Sequence, residues 1–165
     1  MSIIRNIYSW LSPMYGNELY EYLKGNDCDG VFIGPDHFLT IGLIMIGISL
    51  LVFIAYYYLI NHPRYNRWYH WGTFLFLTGI FNLFIGFGYT YSKLNGGNIP
   101  ACFTYSQIEA TDDGSIFGVD GTEILFNSNC WQFGLANAII AIAFFIIFTF
   151  AFKWWSRNCK HSPLF

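Results

Sequence analysis

Hydrophobic residues run almost unbroken through Phe38–Ile60, Trp68–Tyr91 and Trp131–Phe152, and none of these stretches contains Asp, Glu, Lys or Arg. About 20 such residues at 1.5 Å each cover the ~30 Å hydrocarbon core of a bilayer, so each run predicts a transmembrane helix. The polar links then divide the rest of the chain. They give an N-terminal tail at 1–37, a turn at 61–67, a loop at 92–130 and a basic tail at 153–165. The expected fold is an all-α integral membrane protein of three transmembrane helices.

Small residues give the spans a direction. In the second, Gly72, Gly79 and Gly86 recur every seventh residue with Asn82 beside them, while Phe74, Phe81 and Phe84 lie opposite. The third repeats the Gly-x-x-Asn spacing at Gly134 and Asn137 and adds Ala138 and Ala141. In lipid no hydrophobic force draws helices together, so small residues that allow backbone approach and amides that hydrogen-bond across mark packing faces. The second and third spans are therefore expected to meet through Gly79, Asn82, Gly86, Gly134, Asn137 and Ala138. The first span has Gly42, Ser49 and Tyr56 at the same seven-residue spacing.

The tail 1–37 is too interrupted to span, yet Ile3, Ile7, Trp10, Leu11 and Met14 share one helical face. That pattern predicts an amphipathic helix lying in the interface, docked on a neighbouring loop, or packed on its own protein. Asp36 stands where an N-cap of the first span belongs. Turn residues dominate the loop 92–130, and Val119-Asp120-Gly121-Thr122 between Ser115-Ile116-Phe117 and Glu123-Ile124-Leu125-Phe126 has the form of a small β-hairpin. Aromatic residues at the span ends, Tyr56, Tyr57, Tyr58, Trp68, Tyr69 and Trp71, together with Lys153, Trp154, Trp155 and Arg157, read as interfacial anchors.

Composition excludes an ordinary soluble domain, with 55% of residues hydrophobic, 22% aromatic and 11% charged. Charge distribution predicts orientation. The turn 61–67 and the tail 153–165 hold Arg64, Arg67, Lys153, Arg157 and Lys160 and no acid, whereas every acid lies in 1–37 or 92–130. The Lys/Arg bias places the N-terminus outside and the C-terminus in the cytoplasm, in a plasma membrane or a bacterial inner membrane. No signal peptide or lipidation motif is expected. On the external side Cys102 and Cys130 bracket the loop and are the expected disulfide, with Cys28 left over and Cys159 a cytoplasmic thiol.

Little chemistry is written in the chain. It contains no nucleophile elbow, HExxH, CxxC or phosphate-binding glycine loop, and His62 and His70 have no carboxylate or thiol near them in sequence. Asp112, Asp113, Asp120 and Glu123 lack the spacing of a calcium loop and read as a solvated acidic surface. Beyond His70 at the border of the second span, the spans hold no charged or titratable relay residue, which argues against a proton or ion relay. No catalytic residue, metal, cofactor or nucleic-acid partner is expected. The reading that follows is a non-enzymatic structural or scaffolding subunit of a larger membrane assembly, partnered by other membrane-protein subunits and the bilayer. The alternatives are a homo-oligomeric pore and a membrane-bound enzyme or receptor.

Overall fold

The structure is a computed structural model that describes residues 3–28, 31–32, 34–60, 68–107, 119–123 and 125–152. The turn 61–67 with His62, the loop residues 108–118 with Asp112, Asp113 and Ser115-Ile116-Phe117, and the tail 153–165 with Lys153, Trp154, Trp155, Arg157 and Cys159 lie outside them. Three short helices open the chain, α1 (Ile3–Trp10), α2 (Ser12–Tyr15) and α3 (Asn17–Lys24). The long helices are α4 (His37–Ile54), continued by a π-helical turn (Ala55–Ile60), then α5 (Trp68–Asn95) and α7 (Asn127–Phe152). Between the last two come α6 (Ala101–Thr104) and the strands β1 (Tyr105–Gln107) and β2 (Val119–Glu123), which pair antiparallel.

All three long helices are long and apolar enough to cross a membrane, over His37–Tyr58, Trp68–Asn95 and Asn127–Phe152. Helix α7 is the hub. Its most extensive contact is with α5, and its next with α4. Local chemistry sets the ends. The Asp36 carboxylate accepts from the Leu39 amide at 3.4 Å at the start of α4, and the Asn129 side chain accepts from the Phe126 amide at 3.1 Å at the start of α7. Lys93 in the last turn of α5 complements the helix dipole, and Gly25 ends α3 in the left-handed conformation, φ 89°. A Cβ at Gly25 would also stand 2.8 Å from the Gly34 carbonyl oxygen, so the loop between α3 and α4 closes there on glycine.

Several expectations change here. Helix α1 packs on its own protein, against α4 and, through Tyr8, against α7, and it buries Tyr8 while Ile3 and Trp10 of its apolar face are 78% and 83% exposed. A desolvated tyrosine hydroxyl needs a partner, and Tyr8 finds one in the Asn137 side chain of α7. Tyr56 and Tyr57 are likewise buried, because the π-helical turn lets consecutive tyrosines face a cluster with Phe53 and Phe145. Tyr58 stays exposed. Val119–Thr122 lies within β2 and pairs with β1, so the expected hairpin turn at those residues is replaced by a strand. The isolated hairpin is marginal, and pairing with the segment after α6 gives these backbone groups other partners.

The disulfide also differs. Cys28 pairs with Cys102, their Cα atoms 5.8 Å apart, and Cys130 is free and buried. Helix α7 starts at Asn127, which places Cys130 inside its first turns facing the core and out of reach of the surface loops. The bridge closes 74 residues rather than the shorter Cys102–Cys130 loop, a closure worth ~4 kcal/mol in the chain-entropy model. It ties the N-terminal arm to the segment after α5.

Candidate functional site

Two features of the bundle carry polar chemistry, a buried amide network at the α5–α7 seam and a polar pocket at the end where α4 begins and α5 stops. The seam is built by glycine. A Cβ at Gly134 would stand 2.7 Å from the Leu83 carbonyl oxygen, and one at Gly86 would stand 3.0 Å from the Asn137 Cβ and 3.2 Å from the Gly134 Cα. One turn pair further along, Gly79 faces Ile142 at 3.1 Å. Backbones this close leave no room for any other residue at Gly134, whose neighbour is main chain that cannot swing away. Ala138 and Ala141 are buried on α7.

Both asparagines are fully buried in this seam, with different partners. The Asn137 amide donates to the Asn82 backbone carbonyl at 2.7 Å, and its oxygen accepts from the Tyr8 hydroxyl. The Asn82 amide donates to the Thr78 carbonyl of its own helix at 2.9 Å, while its oxygen meets no partner among the described residues. Asn137 is thus the bridge among α1, α5 and α7. Tyr8 is held for that role by stacking between Phe38 at 5.1 Å and Phe133 at 5.7 Å, and its carbonyl accepts from the Tyr15 hydroxyl at 3.0 Å. Burial pushes both phenols well above their ordinary range, so they remain proton donors.

Gly72 does not share the seam. Nothing stands within 4 Å of its would-be Cβ, because Trp71, Phe74 and Leu75 fill that end of the interface with bulk against Phe53, Tyr56, Tyr57 and Phe145. Trp71 is accordingly a packing residue, its indole N–H donating to Thr149 Oγ1 at 3.4 Å, whereas Trp68 is 71% exposed. Phe81 and Phe84 face outward, and Phe74 turns inward onto Tyr56 at 5.0 Å.

The pocket encloses about 400 Å³ and is lined by Tyr22, Gly25, Asn26, Asp27, Gly34, Pro35, His37, Lys93, Asn98 and Pro100. His37, the first residue of α4, shares a hydrogen bond of 2.7 Å between its Nδ1 and the Tyr89 hydroxyl and stacks on Tyr22 at 5.4 Å. Lys93 lies over the Tyr89 ring, 5.8 Å from its centroid. The Cys28–Cys102 bridge joins its two walls, since Asp27 immediately precedes one cysteine and Pro100 stands two residues before the other. None of these pocket residues was singled out from sequence as a binding group. His37 and Lys93 sit at span borders, and their convergence depends on a disulfide and a loop closure that no local pattern encodes. A second cavity of about 320 Å³ is entirely apolar, between Ile7 and Trp10 of α1 with the following Leu11 and Ile139, Phe144 and Ile147 of α7.

Among the described residues no three His, Cys, Asp or Glu side chains gather to hold a metal ion. No family model, curated protein or solved structure matches the chain.

Proposed function

We infer that this protein is a non-enzymatic structural subunit of a larger membrane-embedded assembly, oriented with its N-terminus and the 92–130 loop outside and its C-terminus in the cytoplasm. The orientation is supported by the Lys/Arg bias of 61–67 and 153–165. The observation that carries the assembly reading is the contrast among its glycines. Gly79, Gly86 and Gly134 are consumed within the chain, whereas Gly47, Gly72 and Gly88 meet nothing within 4 Å where a Cβ would stand. Those open positions lie on apolar helices and admit close approach by a foreign helix.

The interior supports the same reading against transport within one copy. Ser49, Thr78, Thr90 and Thr149 each donate to a carbonyl four residues back in their own helix, and the Gly86–Gly134 contact closes the seam. Mass in mild detergent, together with identification of co-purifying chains, tests the proposal. The expected result is a complex larger than the 19.1 kDa chain containing other membrane proteins, reduced to the single chain by Gly47→Leu or Gly88→Leu. A single chain without partners under all mild conditions would overturn it.

A further inference from the structure

The polar pocket holds two opposite charges that do not pair with each other. Among the described residues the ion pairs are Arg5–Asp36 and Lys24–Glu21, which leaves Lys93 and Asp27 without an oppositely charged neighbour within 4.0 Å. Each is fixed to its own wall. Lys93 rests over the Tyr89 ring on α5, and Asp27 accepts from the Cys28 amide at 2.8 Å beside the disulfide. The bridge thus sets a half-buried ammonium and a half-buried carboxylate across one cavity of about 400 Å³.

A simple anion would meet Lys93 and be repelled by Asp27, and a simple cation would meet the reverse. A ligand carrying both charges a few bonds apart satisfies both walls. The geometry points to a binding site for a small zwitterion, with its phosphate or carboxylate toward Lys93 and Asn98 and its ammonium toward Asp27. The pocket opens where α4 begins and α5 ends, the level at which headgroups meet a span, so a phosphoethanolamine group is the ligand of this chemistry. The stacked Tyr22 and His37 rings form a flat wall behind it, held by the His37–Tyr89 hydrogen bond.

The test is lipid binding to the full chain in detergent, followed by native mass spectrometry with phosphatidylethanolamine and phosphatidylglycerol as probes. Phosphatidylethanolamine should bind with preference, and Lys93→Gln and Asp27→Asn should each weaken it by about tenfold, the loss of one charge-assisted contact. Lys93→Arg should restore binding, and retention of the Cys28–Cys102 bridge in each variant reports that the pocket has formed. Soluble glycerophosphoethanolamine distinguishes the source. If it binds and is lost in both variants, the site takes a free zwitterion as well; if the lipid alone binds, the site takes a headgroup in place. Equal binding of the two lipids overturns the proposal, as does a loss confined to Lys93→Gln or no loss in either variant.

Discussion

The α5–α7 seam and the N-terminal arm bury polar groups in the same bundle by opposite means. At the seam, small residues bring backbones so close that a Cβ on Gly134 would collide with the Leu83 carbonyl. In the arm, large residues do the packing, with Tyr8 between Phe38 and Phe133 and Tyr15 edge-on to Phe133 at 5.1 Å. The seam is self-sufficient because two long helices provide both faces. The arm consists of short helices that are marginal alone, so it needs a covalent tie and a hydrogen bond into the seam. Asn137 is where the two solutions join.

The largest expected effect breaks the arm. Replacing Cys28 and Cys102 together by Ser should lower the unfolding free energy in detergent by ~4 kcal/mol, and limited proteolysis should then cut residues 1–36 while α5 and α7 stay intact. Next comes the seam. Gly134→Leu should destabilise by about 3 kcal/mol, since the new side chain meets fixed main chain, whereas Gly72→Leu should stay within about 0.5 kcal/mol in the monomer. Equal effects at Gly134 and Gly72 would mean that the glycine stripe is used along its whole length.

These contrasts also show what could be read from the chain. The three spans were legible because a run of uncharged residues answers one physical demand, thickness. Gly79 and Gly86 of the seven-residue series and Gly134 of the Gly-x-x-Asn pattern stand at the α5–α7 seam, while Gly72 of the same series meets nothing within 4 Å inside the chain, because the side chains of Trp71 and Phe74 fill that end. The amphipathic pattern of α1 was legible, but it did not tell which of its side chains the bundle buries. Its apolar residues Ile3 and Trp10 face outward and its tyrosine faces in. The disulfide was illegible because sequence distance favoured the loop ends, and only the start of α7 at Asn127 removes Cys130 from competition. The pocket needed both of those facts before His37, Lys93 and Asp27 could be brought together.

Smaller effects sharpen the joint. Tyr8→Phe should cost about 2 kcal/mol, because it leaves the Asn137 oxygen buried without its donor while the ring stacking remains. Asn82→Leu should change stability by no more than about 0.6 kcal/mol, since the Asn137 amide uses the Asn82 backbone and the replaced side chain leaves an unpartnered oxygen behind. Both are read from unfolding in detergent. A larger loss at Asn82 than at Tyr8 would place the bridge between the two amides rather than between the arm and α7.

The claim that the N-terminal arm is built into the bundle, with α7 taking Cys130 out of the loop, is tested most directly by mapping disulfides in a non-reducing digest of the purified chain. The account predicts a peptide pair joining Cys28 to Cys102, with Cys130 recovered as a free thiol that reacts only after unfolding. A Cys102–Cys130 pair with Cys28 free would contradict it, because the loop would then be stapled to the start of α7 and the arm to nothing.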